Sequence, residues 1–227
     1  MKTKVLPITT IIKKAFKLIF SKQYLLVFVL LGLAYSLFSY IASFLFSYFY
    51  RLPLSSLPIL IIWLGFLLSL ILYFIFFVFS MTFLYYFGNE VVFERKIFPK
   101  ELLFKTFKSF FNFLKTFLVF CLIVVGGIFL LIIPGIYWGV KFFFAPIVSV
   151  LDNKGVKESL NTSRLLTKSC FWSILVRLII FSVISSAPGF LLTRINPNLN
   201  FLQSFFTPAS LIFYLILYYQ LKAISQR

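Results

Sequence analysis

The residue most suited to a chemical role is Lys141, which lies in the middle of the almost wholly apolar stretch IIPGIYWGVKFFFAPIVSV. Pro134 and Gly135 come before this lysine, and Pro146 follows it. A lysine at the centre of a bilayer costs roughly 2.5–3.5 kcal/mol on insertion scales. Pro146 has no N–H, so the carbonyl of Phe142 would lose its partner in a continuous helix. Broken helices at membrane depth often mark binding sites in transporters, although neighbouring helices can equally satisfy the freed backbone groups.

Two interpretations of Lys141 are open. If a short span begins near Ile136, Lys141 lies in its outer half, and its stem reaches the outer interface by snorkelling. The alternative is that Lys141 faces a polar cavity and holds an anionic lipid headgroup or a substrate. Arg177 is a second candidate contact, although snorkelling toward the inner interface is enough to explain it.

The sequence offers few groups for catalysis. It contains no histidine, which removes the commonest general base and metal ligand. Cys121 and Cys170 are far apart and show neither metal-binding nor disulfide spacing. No nucleophile elbow, zinc-protease motif or phosphate-binding loop is present. We therefore predict a protein that is not an enzyme and that uses no cofactor and no metal.

Composition predicts a membrane protein. Hydrophobic residues make up 62% of the chain, phenylalanine alone contributes 34, and the mean hydropathy is +1.05. Soluble domains are nearer 45–50% apolar. The net charge of +17 could suggest a nucleic-acid partner. The basic residues lie mainly between or beside apolar runs, however, as they do in membrane proteins, so we expect no nucleic-acid partner.

The elements that must position Lys141 are long apolar runs, several of which reach the ~20 residues that a spanning helix needs. The predicted spans cover approximately residues 24–50, 58–87, 115–133, 136–151, 170–191 and 208–221. Basic amphipathic helices are predicted before the first, third and fifth spans, over approximately residues 7–21, 99–114 and 155–168. The sequence thus predicts one all-α domain over 1–227, a polytopic membrane bundle of six spans arranged as three hairpins.

The distribution of charge predicts the orientation of this bundle. Of the 22 basic residues, eighteen fall in segments that six spans would place on the N-terminal side, and two fall on the other side. Cytoplasmic loops carry the excess of Lys and Arg, so both termini are predicted inside. The amphipathic helices would lie at this inner face, where each cation gains ~1 kcal/mol from anionic headgroups. Alternatively, these helices only determine topology.

One stretch resembles a known group of bacterial membrane proteins. The residues that carry the resemblance are Pro134, Gly135, Ile136, Tyr137, Lys141, Phe144, Ala145, Pro146, Asp152, Glu158, Ser159, Leu160, Ser163, Phe171 and Trp172. In these residues the chain resembles the YciC-like inner-membrane proteins and the membrane domain attached to glycerophosphodiester phosphodiesterases. Ser159 stands where that group usually has alanine. The resemblance implies a bacterial cytoplasmic membrane, but not phosphodiesterase activity, which belongs to a separate soluble domain.

Two functions are compatible with these observations. The first is a scaffold or accessory protein in envelope or lipid homeostasis or in export, whose amphipathic helices engage anionic membrane lipids or a protein partner in the membrane. The second is a transporter or lipid-handling protein with an anion or headgroup site near Lys141 and Pro146. A polar cavity lined by Lys141 would favour the second function, and a dry bundle with Lys141 directed at the outer interface would favour the first.

Overall fold

A computed structural model describes residues 7–51, 59–96, 98–195 and 207–226, and the regular structure in these ranges is entirely α-helical. The helices are α1 (Ile8–Ile19), α2 (Lys22–Arg51), α3 (Ile59–Val92), α4 (Pro99–Leu130), α5 (Ile132–Phe142), α6 (Ala145–Leu151), α7 (Val156–Lys168), α8 (Phe171–Ile195) and α9 (Thr207–Ser225). The all-α prediction is confirmed for the described part of the chain.

Five segments of the described residues are long and apolar enough to cross a membrane. They are Tyr24–Ile41, Trp63–Val92, Pro99–Leu130, Ile132–Leu151 and Phe171–Leu192. These helices suit an integral membrane protein. The predicted sixth span, 208–221, corresponds to the shorter apolar helix Ser210–Ser225.

Helix α9 is the central element of the fold. It packs against α1, α2, α3, α7 and α8. Its apolar side chains are buried around the whole circumference, including Ile212, Leu215, Leu217 and Leu221. A helix that is apolar on every face needs to be surrounded, either by lipid or by other helices. In this fold other helices surround α9, so its sequence reflects a position in the protein core.

The predicted boundary between an interfacial helix at 99–114 and a span at 115–133 is wrong. One continuous helix, α4, covers both segments and ends at Leu130. Pro99 begins this helix, at a position where the missing N–H costs nothing. A continuous helix cannot lie flat in the interface over its first half and cross the bilayer over its second.

Helices α4 and α5 form a tight hairpin with a single non-helical residue, Leu131, between them. The predicted spans placed this turn at 134–135, but Pro134 belongs to the first turn of α5. The helices cross closely at Gly127 and Gly135, because a Cβ added to Gly127 would lie 2.8 Å from the Cα of Gly135. The neighbouring Gly126 faces open space, with nothing within 4 Å of an added Cβ.

The predicted bend near Pro146 is confirmed. Helix α5 ends at Phe142, and α6 begins at Ala145 with Pro146 in its first turn. The interruption is short, because Phe143 and Phe144 keep right-handed helical backbone angles. The stretch Ile132–Leu151 is therefore two short helices joined at a break that lies two residues after Lys141.

Helix α8 departs from the predicted fifth span in length and in placement. It does not end at Pro188 but continues through it to Ile195. Ile184 and Pro188 line a crevice of about 360 Å³ together with residues of α1 and of the first turns of α2, among them Leu25. The six-span plan would align α8 parallel to α2 and place Pro188 a bilayer's thickness away from Leu25. The three-hairpin arrangement of six spans is therefore not confirmed.

Apart from α8, the segments that the sequence predicts to be inside meet at one end of the bundle, which we call the polar end. It contains Tyr24, Asn89, Arg95, Asn112, Asp152, Tyr218, Tyr219 and Lys222. Tyr24 donates to the carbonyl of Arg95 at 3.3 Å, and Tyr219 donates to the side chain of Asn89. Asp152 accepts from Tyr218 at 3.0 Å and from Lys222 at 2.5 Å. The start of α2 and the ends of α3, α6 and α9 therefore lie together, as the charge pattern predicts.

Candidate functional site

The backbone around Lys141 is fixed by two hydroxyl groups of α7. Ser163 donates to the carbonyl of Lys141 at 3.0 Å and accepts from the N–H of Phe144 at 3.2 Å. Thr167 also donates to the carbonyl of Lys141, at 3.2 Å. The broken end of α5 and the start of α6 thus regain hydrogen bonds from the neighbouring helix. Polar backbone groups freed by a break in an apolar setting need such partners.

The side chain of Lys141 lies over the preceding turn of α5. Its ammonium is 3.2 Å from the Tyr137 hydroxyl and 4.8 Å from the centroid of the Tyr137 ring. The Tyr137 ring in turn packs against Phe171 at the start of α8, with ring centroids 5.3 Å apart. The cation is therefore held by a hydrogen bond and a cation–π contact, and both leave part of the ammonium free to bind an anion.

Lys141 lines an open groove of about 500 Å³ between α5 and α7, which we call the cationic groove. Its lining residues are Tyr137, Lys141, Asn161, Arg164, Leu165, Thr167, Lys168 and Phe171. Three of them are cations and none is an acid. Arg164 and Lys168 are one turn apart on the same face of α7, so their charges are neighbours. Three uncompensated cations, an amide and aromatic rings suit an anionic ligand with an apolar part.

The groove places Lys141 beside two cations of α7. Its neighbours Arg164 and Lys168 belong to the segment that the charge distribution predicts to be on the inner side. The pairing of this lysine with α7 fits the second interpretation, a cation that faces a polar cavity.

The other two candidate contacts lie outside the groove. Pro146 is buried in α6 and contributes through the break in the helix, without lining the groove. Arg177 is only 6% exposed, so it does not snorkel to a membrane surface. Of the three candidates, only Lys141 lines the cationic groove.

Most residues of the sequence motif lie at the junction of α5, α6 and α7. Gly135 allows the close crossing with α4, and Pro134 begins α5 beside it. Tyr137 and Ser163 support Lys141, and Phe144 is buried at the helix break. Two motif residues point elsewhere: Glu158 is exposed on α7, and Trp172 is 75% exposed at the start of α8.

Sequence reasoning missed the contribution of α7 to the site. The sequence analysis places Arg164 and Lys168 in the amphipathic helix predicted over 155–168, whose cations either meet anionic headgroups or only determine topology. A signal was available, since Asn161, Arg164, Leu165 and Lys168 have the i, i+3, i+4, i+7 spacing of one helix face. The sequence does not show that this face of α7 lies beside Lys141.

Comparison with models of protein families gives no match, and comparisons with curated proteins and with solved structures give none either. The resemblance noted for residues 133–176 therefore stays a prediction, and the proposals below are based on the geometry.

Proposed function

We propose that this protein is a lipid-handling integral membrane protein, without catalytic activity, that binds the headgroup of an anionic phospholipid in the cationic groove. The observation that carries the proposal is the meeting of Lys141, Arg164 and Lys168 around a groove whose lining contains no acid. A phosphate diester is the anionic group that a bilayer presents in quantity, and Arg and Lys bind phosphate oxygens well.

The surroundings of the groove favour a lipid over a free anion. Leu165 and Phe171 line it beside the cations, and Leu165 is 66% exposed. These apolar groups could cover the glycerol and upper acyl region of a lipid, but they would gain little from inorganic phosphate. The charge pattern supports an orientation with both termini inside, where anionic headgroups attract basic segments. The family resemblance implies that the membrane is a bacterial cytoplasmic membrane.

Native mass spectrometry of the full-length protein from nanodiscs of mixed phosphatidylglycerol and phosphatidylcholine tests this proposal. The wild-type protein should retain phosphatidylglycerol preferentially. The combined variant Lys141→Ala, Arg164→Ala, Lys168→Ala should lose roughly 100-fold in that preference, because each cation contributes ~1 kcal/mol. Lys108→Ala is the matched control, since it removes an exposed cation of α4 that does not line the groove.

Equal retention by the triple variant and by wild type would overturn the proposal. A separate arm adds inorganic phosphate to the wild-type protein. If phosphate binds and no lipid is retained in phosphate-free buffer, the groove is a site for a free anion and the lipid assignment is wrong.

A further inference from the structure

A second site is formed by the apolar crevice that separates α2 from α8. Its lining residues include Phe16 and Phe20 of α1, Leu25 and Val29 of α2, and Ile184 and Pro188 of α8. Phe213 of α9 also lines this crevice. The crevice has a volume of about 360 Å³ and is separate from the cationic groove, with which it shares no lining residue.

The polar atoms of the crevice are already satisfied. Ser185 donates to the carbonyl of Phe181 at 2.7 Å, and Ser210 donates to the carbonyl of Thr207 at 2.8 Å. Since both hydroxyls have backbone partners, the crevice offers no strong hydrogen-bonding group to a ligand. The chemistry of the lining therefore selects an apolar occupant.

The membrane around the protein supplies such an apolar occupant. The crevice has two long walls, formed by Leu25 to Val29 and by Ile184 to Pro188. These walls belong to the candidate spans Tyr24–Ile41 and Phe171–Leu192. A crevice between two membrane-spanning segments opens to hydrocarbon, and an acyl chain is the apolar group that reaches it there.

The α1 end of the crevice carries positive charge. Phe16 and Phe20 stack with ring centroids 5.9 Å apart. Lys13 and Lys17 precede these two rings by three positions each, so on a helix they are adjacent on the surface. Both lysines are exposed, whereas the opposite face of α1, which includes Ile11 and Ala15, is fully buried. An apolar crevice that ends beside two exposed cations is complementary to an anionic amphiphile.

The geometry points to an anionic phospholipid that places one acyl chain in the apolar crevice and its headgroup beside Lys13 and Lys17. This site does not depend on the function proposed for the cationic groove. In this proposal, α1 closes the charged end of the apolar crevice.

Photo-crosslinking of the full-length protein in nanodiscs tests the site. The nanodiscs contain phosphatidylcholine and a minor fraction of phosphatidylglycerol with a diazirine on one acyl chain, and labelled peptides are mapped by mass spectrometry. Labelling should concentrate on the segments around Val29 and Ile184. Val29→Trp should reduce that labelling by roughly tenfold, because a filled crevice has no room for the chain. Val183→Trp is the control, since Val183 is 60% exposed and does not line the crevice.

A second variant avoids any risk of misfolding from the tryptophan. Lys13→Gln with Lys17→Gln changes only exposed side chains. This double variant should reduce the preference for the phosphatidylglycerol probe over a phosphatidylcholine probe by roughly tenfold or more. The reason is that each cation near an anionic surface contributes about fivefold. Labelling spread evenly over exposed apolar surfaces, labelling unchanged in both variants, or crosslinks from crevice residues to a second protein copy would each overturn the site. Lys141→Ala should leave this labelling unchanged, which separates the two sites.

Discussion

At the scale of single residues, one hydroxyl group holds the broken ends of α5 and α6 together. Ser163 donates to the carbonyl of Lys141 near the end of α5 and accepts from the N–H of Phe144, the residue before α6. Ser163 and Phe144 are both fully buried, so water cannot replace this hydroxyl. Because the carbonyl belongs to Lys141, the same contact fixes where the lysine leaves the backbone.

Ser163→Ala should destabilise the protein by ~1–3 kcal/mol, the cost of leaving a buried donor without a partner. Thr167 still donates to the carbonyl of Lys141 in this variant, so the unsatisfied group is the N–H of Phe144. The unfolding midpoint in detergent measures the loss. Ser169→Ala is the matched control, since Ser169 is exposed at the end of α7 and its removal should change the midpoint little. Equal midpoints for the two variants would contradict this role of Ser163.

The residues of the cationic groove show how far a site can be predicted from this sequence. Lys141 was identifiable because a cation in an apolar run is energetically unusual. Arg164 and Lys168 lie in a polar segment, where cations are common. Their spacing places them on one helix face, but a solvated face has the same spacing as a binding face. Their role depends on the packing of α7 against α5, which is a tertiary contact.

At the scale of elements, the α4–α5 hairpin depends on two glycines that face each other. An added Cβ at Gly135 would lie 2.8 Å from the backbone nitrogen of Ile128, and one at Gly127 would lie 2.8 Å from the Trp138 ring. Small residues let membrane helices approach closely and gain packing energy that larger residues prevent. The backbone contact leaves no flexible side chain that could move aside for a methyl group.

Gly127→Ala should therefore destabilise the hairpin by ~1–3 kcal/mol, as overpacking does in closely packed cores. Gly126→Ala provides the matched control one residue away. Its methyl group meets open space, so the better helix propensity of alanine should leave stability unchanged or raise it by up to about 1 kcal/mol. Detergent unfolding of the two variants measures the difference. A destabilised Gly126→Ala and an unaffected Gly127→Ala would contradict the observed packing.

Helix content was predictable here and helix boundaries were not. Long apolar runs in a membrane must form helices, since the backbone has no water to bind. The change from basic amphipathic to apolar composition near Lys115 looked like a boundary, but lysine is a good helix former and α4 continues through it. Similarly, Pro188 looked like a helix end, yet α8 continues to Ile195.

At the scale of the whole molecule, the placement of α8 changes the expected topology. Pro188 lines the apolar crevice together with Ile19 and Leu25. Leu25 lies in the first turn of α2, and α2 directly follows α1. Arg194 lies six residues beyond Pro188 in the same helix, which is ~9 Å at the helical rise. We therefore expect Arg194 to lie on the same side of the membrane as α1, whereas six alternating spans would place it on the opposite side.

Labelling with a membrane-impermeant maleimide tests the side of Arg194. In a background with Cys121→Ala and Cys170→Ser, Arg194→Cys should react in the same vesicle orientation as Lys17→Cys, which marks the α1 side. Arg51→Cys, in the loop that the sequence predicts outside, marks the other side. Reaction of Arg194→Cys together with Arg51→Cys would mean that α8 crosses the membrane parallel to α2, and the apolar crevice could then not exist in the bilayer.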